Sequence, residues 1–363
     1  MIIKSHSKEY SVKIERNFDF VADLLIQENA YFIIDKNLYN LYADKLFSII
    51  PKDRLTILEA EESNKTIETA LKICEVLTSL HAKRNIQLIS FGGGIIQDIT
   101  GFVASILYRG ISWTYIPTTL LAACDSCIGS KTSLNYKSYK NLLGTFYPPD
   151  DIRICSDFFK TLTEQDFQSG LGEVVKFNIM YGEKGLSRVE KDLNLLLLRD
   201  EEMLNIYLKT SLMFKKTFIE EDEFDQGVRL HLNFAHTFGH AFETVSNYAI
   251  PHGTAVAMGM IVANRVSMQR GYLDNDLVLR SEQVLKKIIN LDFKSINLDV
   301  DLILDAMKKD KKQTGTEITA VLLYDNMKLG IFKDLKREEV ENALDALFLC
   351  LNIQGDKFLK RDV

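Results

Sequence analysis

No run of about 18 uncharged apolar residues occurs in this chain, so no membrane-spanning helix is expected. The opening MIIKSHSKEYSVKIERN has no long apolar stretch, so no signal peptide is expected; it alternates polar and apolar residues as a strand does. Positive charge is not in excess: 44 Lys and Arg stand against 50 Asp and Glu, a net charge of −6. That gives no support for a nucleic-acid partner, although it is compatible with a locally basic pocket. The five cysteines, Cys74, Cys124, Cys127, Cys155 and Cys350, are odd in number and show no pairing pattern. Cys124 and Cys127 form a lone Cys-x-x-Cys, without the second pair or thioredoxin-like context that a zinc or redox reading needs. All five are therefore read as reduced thiols, which points to a reducing, cytoplasmic compartment. Internal repeats, low-complexity linkers and the G-x-G-x-x-G fingerprint are also missing.

The 363 residues, 46% hydrophobic and 26% charged, suit a soluble globular protein large enough for two domains. In the first half, strand-like runs (Tyr31–Asp35, Leu55–Leu58, Ile86–Phe91, Trp113–Ile116) alternate with helical patterns over Thr66–His81 and from Gly94 to about Leu107. This rhythm predicts a largely parallel sheet covered by helices. After about Glu164 helical periodicity dominates, over Asp192–Arg199, Met203–Glu220, Phe234–Asn247, Ala255–Gln269, Leu277–Ile289 and Arg337–Leu349. Ile318–Tyr324 and Lys328–Phe332 read as a small hairpin. The expected organisation is an α/β domain over residues 1–164 followed by a mostly helical one over 165–363.

Three of the six histidines lie in HTFGHAFETVSNYAIPHG. His236 and His240, four apart, share a helix face, and His252 follows a Pro-bounded turn. Such a cluster is either a set of satisfied polar residues at a helix end or a divalent metal site in need of a carboxylate. Gly92-Gly93-Gly94 follows a strand and opens a helix, as a tight turn or as a phosphate cradle at a helix N-terminus. Asp35, ending a strand with Asn37 beside it, could bind a ribose hydroxyl. The stretch from Pro117 to Asn135 is dense in small and hydroxylated residues, and Lys140 and Asn141 follow it. Lys131, Lys140, Asn135, Asn141 and Arg109 fit either a solvated loop or a phosphorylated substrate. Glu173 and Lys176, three apart, form either a surface ion pair or, given apolar flanks, a buried one.

The blocks GGGIIQD, YRG, PTTLL, DS-x-IG-x-KT-x-x-N, KN-x-x-G, GEVVK, G-x-R-x-x-LN-x-x-HTFGHA-x-E and HG-x-AVA-x-GM occur in the order found in 3-dehydroquinate synthases. Over residues 30–315 the chain thus resembles the sugar phosphate cyclases. The resemblance implies an N-terminal Rossmann-like NAD-binding α/β domain, a C-terminal helical metal-binding domain and a homodimer. It implies Glu173, His236 and His252 as ligands of zinc (or cobalt), leaving an open position. His240 matches instead a histidine of the substrate pocket. NAD would be held by Asp35, Asn37, Glu62, Lys65, Gly93, Gly94, Asp98, Thr118, Thr119 and Asp125, with Lys140 close by. The sugar phosphate would be met by Lys131, Asn141, Lys176, Lys215, Arg229, Asn233, His240 and Lys312, and Arg109 matches an arginine that crosses the dimer interface.

The implied reaction oxidises one secondary alcohol with bound NAD⁺, the metal easing loss of the hydroxyl proton. The resulting ketone acidifies the neighbouring C–H, phosphate is eliminated, hydride returns, and the opened ring closes by an intramolecular aldol step. NAD is not consumed. Three departures stand near the expected site: Gln97 where Gly is common, Ser130 where Gly usually precedes the lysine, and Thr254 where Glu usually follows His-Gly. Cyclases of sedoheptulose 7-phosphate or glucose 6-phosphate also vary in these loops. Lys215 and Arg229 argue instead for a substrate carboxylate, as in 3-dehydroquinate synthases, since a neutral sugar phosphate would not justify that buried positive charge. An NAD-dependent alcohol dehydrogenase would share both domain types but would not need the KT-x-x-N…KN block or GEVVK.

Overall fold

The structure is a computed structural model that describes residues 1–80, 83–137, 139–309 and 318–353. The chain divides into two compact units, Met1–Leu162 with Lys216–Asp225, and Thr163–Lys215 with Gln226–Val363.

The first unit contains β1 (Ile2–Lys4), β2 (Glu9–Glu15), α1 (Asp19–Leu25), β3 (Ala30–Asp35), α2 (Lys36–Tyr42), β4 (Leu55–Leu58), α3 (Ile67–Ser79), β5 (Gln87–Gly92), α4 (Gly94–Ile106), β6 (Ser112–Pro117), β7 (Lys131–Tyr136), β8 (Tyr139–Phe146) and β9 (Asp151–Cys155). Seven strands form one sheet in the order β1-β2-β9-β6-β5-β3-β4. Its pairs are parallel except the β1–β2 edge. Strands covered on both faces read as unbroken apolar runs, as β3 and β5 do: Phe32, Ile33, Ile34, Leu88, Ile89 and Phe91 are all fully buried. β3 and β5 are neighbours, yet β3 leads on to β4 and β5 to β6, on opposite sides. That is a topological switch point, where ligands bind beyond the carboxyl ends of the strands.

β7 and β8 form a separate antiparallel hairpin, so Lys131–Asn135 lies on a strand and not in the loop that its composition suggests. Among its described residues Leu134 is the only fully buried apolar one; its other apolar side chains, such as Tyr139, Leu142 and Phe146, are exposed and are interspersed with Lys, Ser, Thr and Asn, which is why it lacks a clean strand signature.

The second unit holds α5 (Glu164–Met180), α6 (Glu183–Leu197), most of α7 (Glu201–Glu221), α8 (His236–Val245), α9 (His252–Gln269), α10 (Asn275–Ile288), α11 (Val300–Lys309), the hairpin β10 (Ile318–Tyr324) and β11 (Lys328–Leu335), and α12 (Arg337–Leu351). The helix expected over Asp192–Arg199 is the second half of α6, which begins after Gly182 at φ +93° and stops at Leu197. α9 is buried on every side from Gly253 to Asn264, as a central helix must be, and α5, α8, α10 and α12 pack around it.

Glycines set two of these crossings. A Cβ on Gly172 of α5 would lie 2.0 Å from the carbonyl oxygen of Gly253, and one on Gly253 would lie 1.7 Å from that of Ser169. A Cβ on Gly259 would meet the Ala235 carbonyl at 2.4 Å. Backbone therefore touches backbone where α5 and the start of α8 meet α9. The residues beside these contacts are Glu173, His236 and His252.

Candidate active site

The residues expected to hold a dinucleotide gather at the carboxyl edge of the parallel sheet. Asp35 ends β3, Glu62 and Lys65 follow β4, Gly93 and Gly94 follow β5, and Thr118 and Thr119 follow β6. Gly93 is the N-cap of α4 and offers no side chain to its first amides, which leaves those N–H groups facing the edge. A Cβ on Gly93 would press on Thr119 at 3.1 Å, whereas one on Gly94 would meet only Ser126 Oγ, at 3.8 Å. Asp35 is in use as a cap: its Oδ1 accepts from the amides of Asn37 and Leu38 at 2.7 and 3.1 Å. Asp125 lies in the π-helical turn Ala122–Ser126.

A polar network joins this edge to the β7–β8 hairpin. Lys65, buried, sets its ammonium 2.5 Å from Asp98 Oδ2 and donates to Asn141 Oδ1 at 2.6 Å. Burial pushes the Asp98 carboxyl above the usual range, against the pull of Lys65 and of the Ser133 hydroxyl and amide. Asn135 Nδ2 donates to Glu62 Oε1 at 2.8 Å, its Oδ1 accepts from the Asn141 amide at 2.9 Å, and Lys140 lies 3.8 Å from Glu62. Glu62, Lys65, Asp98, Lys140 and Asn141 thus form one connected group. Its junctions are Ser133, which the sequence does not single out, and Asn135, which the sequence offers as a candidate for a phosphorylated substrate and which here serves to join Glu62 to Asn141. The half-exposed Lys131 pairs with Asp225 at 2.6 Å.

Two of the three departures have a structural reason. Gln97 is buried; its Nε2 donates to the Ser126 carbonyl at 2.7 Å and its Oε1 accepts from Ser126 Oγ at 2.8 Å, clasping the turn that carries Asp125. Ser130 has φ +66°, the region that favours glycine, and its hydroxyl donates to Glu223 Oε1 at 2.8 Å. Glu223 also accepts from Ser5 Oγ and the His6 amide. Thr254 is buried within α9, and nothing in the structure explains the choice of threonine.

In the second unit Glu173, His236 and His252 each place a donor atom within 4.8 Å of the others. Glu173 is fully buried, and neither of its oxygens has a directed hydrogen bond. Lys176 forms an ion pair with Oε2 at 2.5 Å, so this Glu–Lys pair is an interior one. Oε1 faces His236 Nε2 at 3.6 Å and His252 Nε2 at 3.5 Å. The far nitrogens are engaged: His236 Nδ1 with the Phe234 carbonyl at 3.0 Å, His252 Nδ1 with Glu243 Oε2 at 3.1 Å. Burial opposes charge on His252, but Glu173 and Glu243 outweigh it and raise the imidazole to about 10. The pocket therefore favours positive charge at this point. One carboxylate and two imidazoles converging on a buried, unsatisfied oxygen fit a divalent ion with an open position.

His240, Glu243 and His252 form a second donor group within the same span, so His240 lies beside the cluster. Its ring centre is 5.4 Å from that of His236 and 6.1 Å from that of His252. Lys176 also donates to the Leu232 carbonyl at 3.3 Å, in the turn Val228–Asn233 that carries Arg229 and Asn233. Arg229 and Lys215 are both buried. Arg109 is exposed in a Tyr108-Arg109-Gly110 turn where all three φ angles are positive. Lys312 lies outside the described residues.

Comparison with known proteins follows the same division. Residues 55–169 match the family described as 3-dehydroquinate synthase N-terminal, and residues 170–313 match 3-dehydroquinate synthase C-terminal. A 3-dehydroquinate synthase of Clostridium tetani (strain Massachusetts / E88) is 38% identical over 344 residues, 93% of this chain and 92% of that protein. Among solved structures, 2-epi-5-epi-valiolone synthase from Streptomyces hygroscopicus subsp. jinggangensis 5008, with NAD+ and Zn2+ bound, superposes with a TM-score of 0.81 at 22% identity. It covers 95% of this chain and 98% of that one. A 2-deoxy-scyllo-inosose synthase complexed with carbaglucose-6-phosphate, NAD+ and Co2+ gives 0.80 at 23% identity, over 95% and 99%. At these identities the two structures speak for the fold.

Proposed function

Because the chain belongs to the 3-dehydroquinate synthase family, we propose that it cyclises 3-deoxy-arabino-heptulosonate 7-phosphate to 3-dehydroquinate with release of phosphate. The observation that carries the reading is the closure of Glu173, His236 and His252 on one buried point, in a chain that matches both halves of the family. When bound, NAD⁺ supplies a reversible hydride acceptor and zinc or cobalt a Lewis acid for the substrate's hydroxyls. The residues of the chain do the rest. Glu173, His236 and His252 hold the metal, and Lys176 balances the buried Glu173 charge. The Gly93–Gly94 amides, the Thr118–Thr119 pair, Asp35, Asn37 and Asp125 bind the dinucleotide, with Glu62, Lys65, Asp98 and Lys140 forming the connected wall described above.

Lys131 and Asn141 orient the leaving phosphate and offset its charge, Lys131 exchanging Asp225 for the phosphate. Lys215 and Arg229 take the substrate carboxylate, and Asn233, His240 and Lys312 are the further substrate contacts that the family resemblance implies. The enzyme works as a homodimer to which the exposed Arg109 contributes. It serves the shikimate route in a reducing cytoplasm, in keeping with five free thiols. None of the described helices is long and apolar enough to cross a membrane.

The test is phosphate release from the heptulosonate by metal-loaded protein with a trace of NAD⁺. Many turnovers per NAD⁺, without accumulating NADH, is the expected result. NADH formed in step with product would turn the reading into that of a dehydrogenase.

A further inference from the structure

Glu243 has no role in the reading above, yet its position is specific. On α8, His236, His240 and Glu243 recur at helical spacing and so share one face. Glu243 comes two turns after His236, just before the chain turns through Asn247 and Tyr248, both at positive φ, and the Tyr248 amide closes that turn on the Glu243 carbonyl at 2.7 Å. α9 then begins at His252, whose imidazole is 30% exposed and lies against the rings of His236 and His240, 5.4 and 6.1 Å away between centres. The directed contact to its Nδ1 is the 3.1 Å one with Glu243 Oε2. An ionised carboxylate can only accept, so Nδ1 carries a hydrogen and Nε2 is the nitrogen left to face Glu173, 3.5 Å away.

We propose that Glu243 is a positioning residue of the metal centre: it orients His252 through Nδ1, selects Nε2 as the ligating atom, and adds a second negative charge behind the ligand. The Phe234 carbonyl does the same for His236 without the charge. Charge matters here because Lys176 already sits against Glu173, and two neutral imidazoles donate lone pairs to a dication but no negative charge. Glu243 is not itself a ligand in this scheme. It is engaged by His252, whereas the buried oxygens of Glu173 have no directed donor.

The proposal rests on the assignment of the metal to Glu173, His236 and His252. It is tested on metal-stripped full-length protein by titration with Zn²⁺ against a chromogenic chelator, with Co²⁺ absorption as a report on geometry. Wild type, E243A and E243Q are compared, each with its metal-free melting temperature. Outer-shell partners of ligating histidines are worth roughly 10–100-fold in metal affinity, and that is the expected loss in E243A, with an altered Co²⁺ spectrum. E243Q recovers part of the loss, because its amide oxygen still accepts from Nδ1. A loss of metal-free stability with affinity and spectrum unchanged overturns the proposal, as does a second bound metal in wild type that E243A lacks. Wild-type protein that takes up no metal overturns the assignment beneath it as well.

Discussion

Gly172→Ala is the sharpest perturbation of the geometry behind the metal cluster. Two effects oppose each other. Alanine in a helix interior is favoured over glycine by up to about 1 kcal/mol. Against this, the new Cβ would stand 2.0 Å from the Gly253 carbonyl oxygen, a backbone atom that no rotamer change can remove. Relief requires α5 and α9 to part by at least about 1 Å, and overpacking of this kind costs roughly 1–3 kcal/mol or more. The clash wins, and about 2 kcal/mol or more of net destabilisation is expected. For a unit of this size that lowers Tm by roughly 4–8 °C. The same displacement moves Glu173 away from His252, beyond the few tenths of an ångström that a coordination shell tolerates. Thermal unfolding of metal-free protein and zinc titration should therefore both report a loss. An unchanged or raised Tm together with undiminished zinc affinity would refute the argument that this glycine contact sets the ligand geometry.

Three further outcomes are expected. Arg229→Lys should lower kcat/KM on the heptulosonate by about 1.5–3 kcal/mol, since lysine cannot reproduce two parallel hydrogen bonds to a carboxylate, and Arg229→Met should cost more; an unaffected Arg229→Lys enzyme would remove the arginine from that role. Gln97→Ala strips the Ser126 carbonyl and hydroxyl of their partner, so stability should fall by about 1–3 kcal/mol and amide exchange across Ala122–Ser126 should quicken; protection equal to wild type would deny the clasp. Burial raises the Glu223 carboxyl, but the His6 amide and the Ser5 and Ser130 hydroxyls outweigh it and hold it below its ordinary 4.5, so its contribution is complete above that pH and fades as the pH falls below it. The Tm gap between wild type and Glu223→Gln should therefore be widest near neutrality and narrow under acid; a gap that widens in acid would reverse the sign.

What the sequence made legible follows from the physics of each element. β3 and β5 announced themselves because buried parallel strands are apolar runs, β4 and β6 stood out by β-branched and aromatic residues, and the glycine run after β5 marked the sheet edge where the chain turns into α4. The histidine spacing reported one helix face correctly, but spacing alone put His236 and His240 forward together; the carboxylate came only with resemblance, because Glu173 reaches the histidines through the α5–α9 crossing and not through any local pattern. The β7–β8 hairpin was hidden because its partners are hydroxyls and amides that bond across to Lys65, Glu62 and Asp98 instead of packing in a core. The first half of α6 was missed for want of a side-chain cap at Gly182. Glu243 stood in plain view at helical spacing from both histidines of α8, yet its use depends on a turn that returns His252 to it.

The central claim is the identity of the substrate, and it is tested most directly by kcat/KM for phosphate release from three compounds with one preparation of metal-loaded protein. 3-Deoxy-arabino-heptulosonate 7-phosphate should be turned over far better than sedoheptulose 7-phosphate or glucose 6-phosphate, because only the first carries the carboxylate that Lys215 and Arg229 are assigned to hold. Preference for either neutral sugar phosphate would contradict the account and make the chain a cyclase of another substrate.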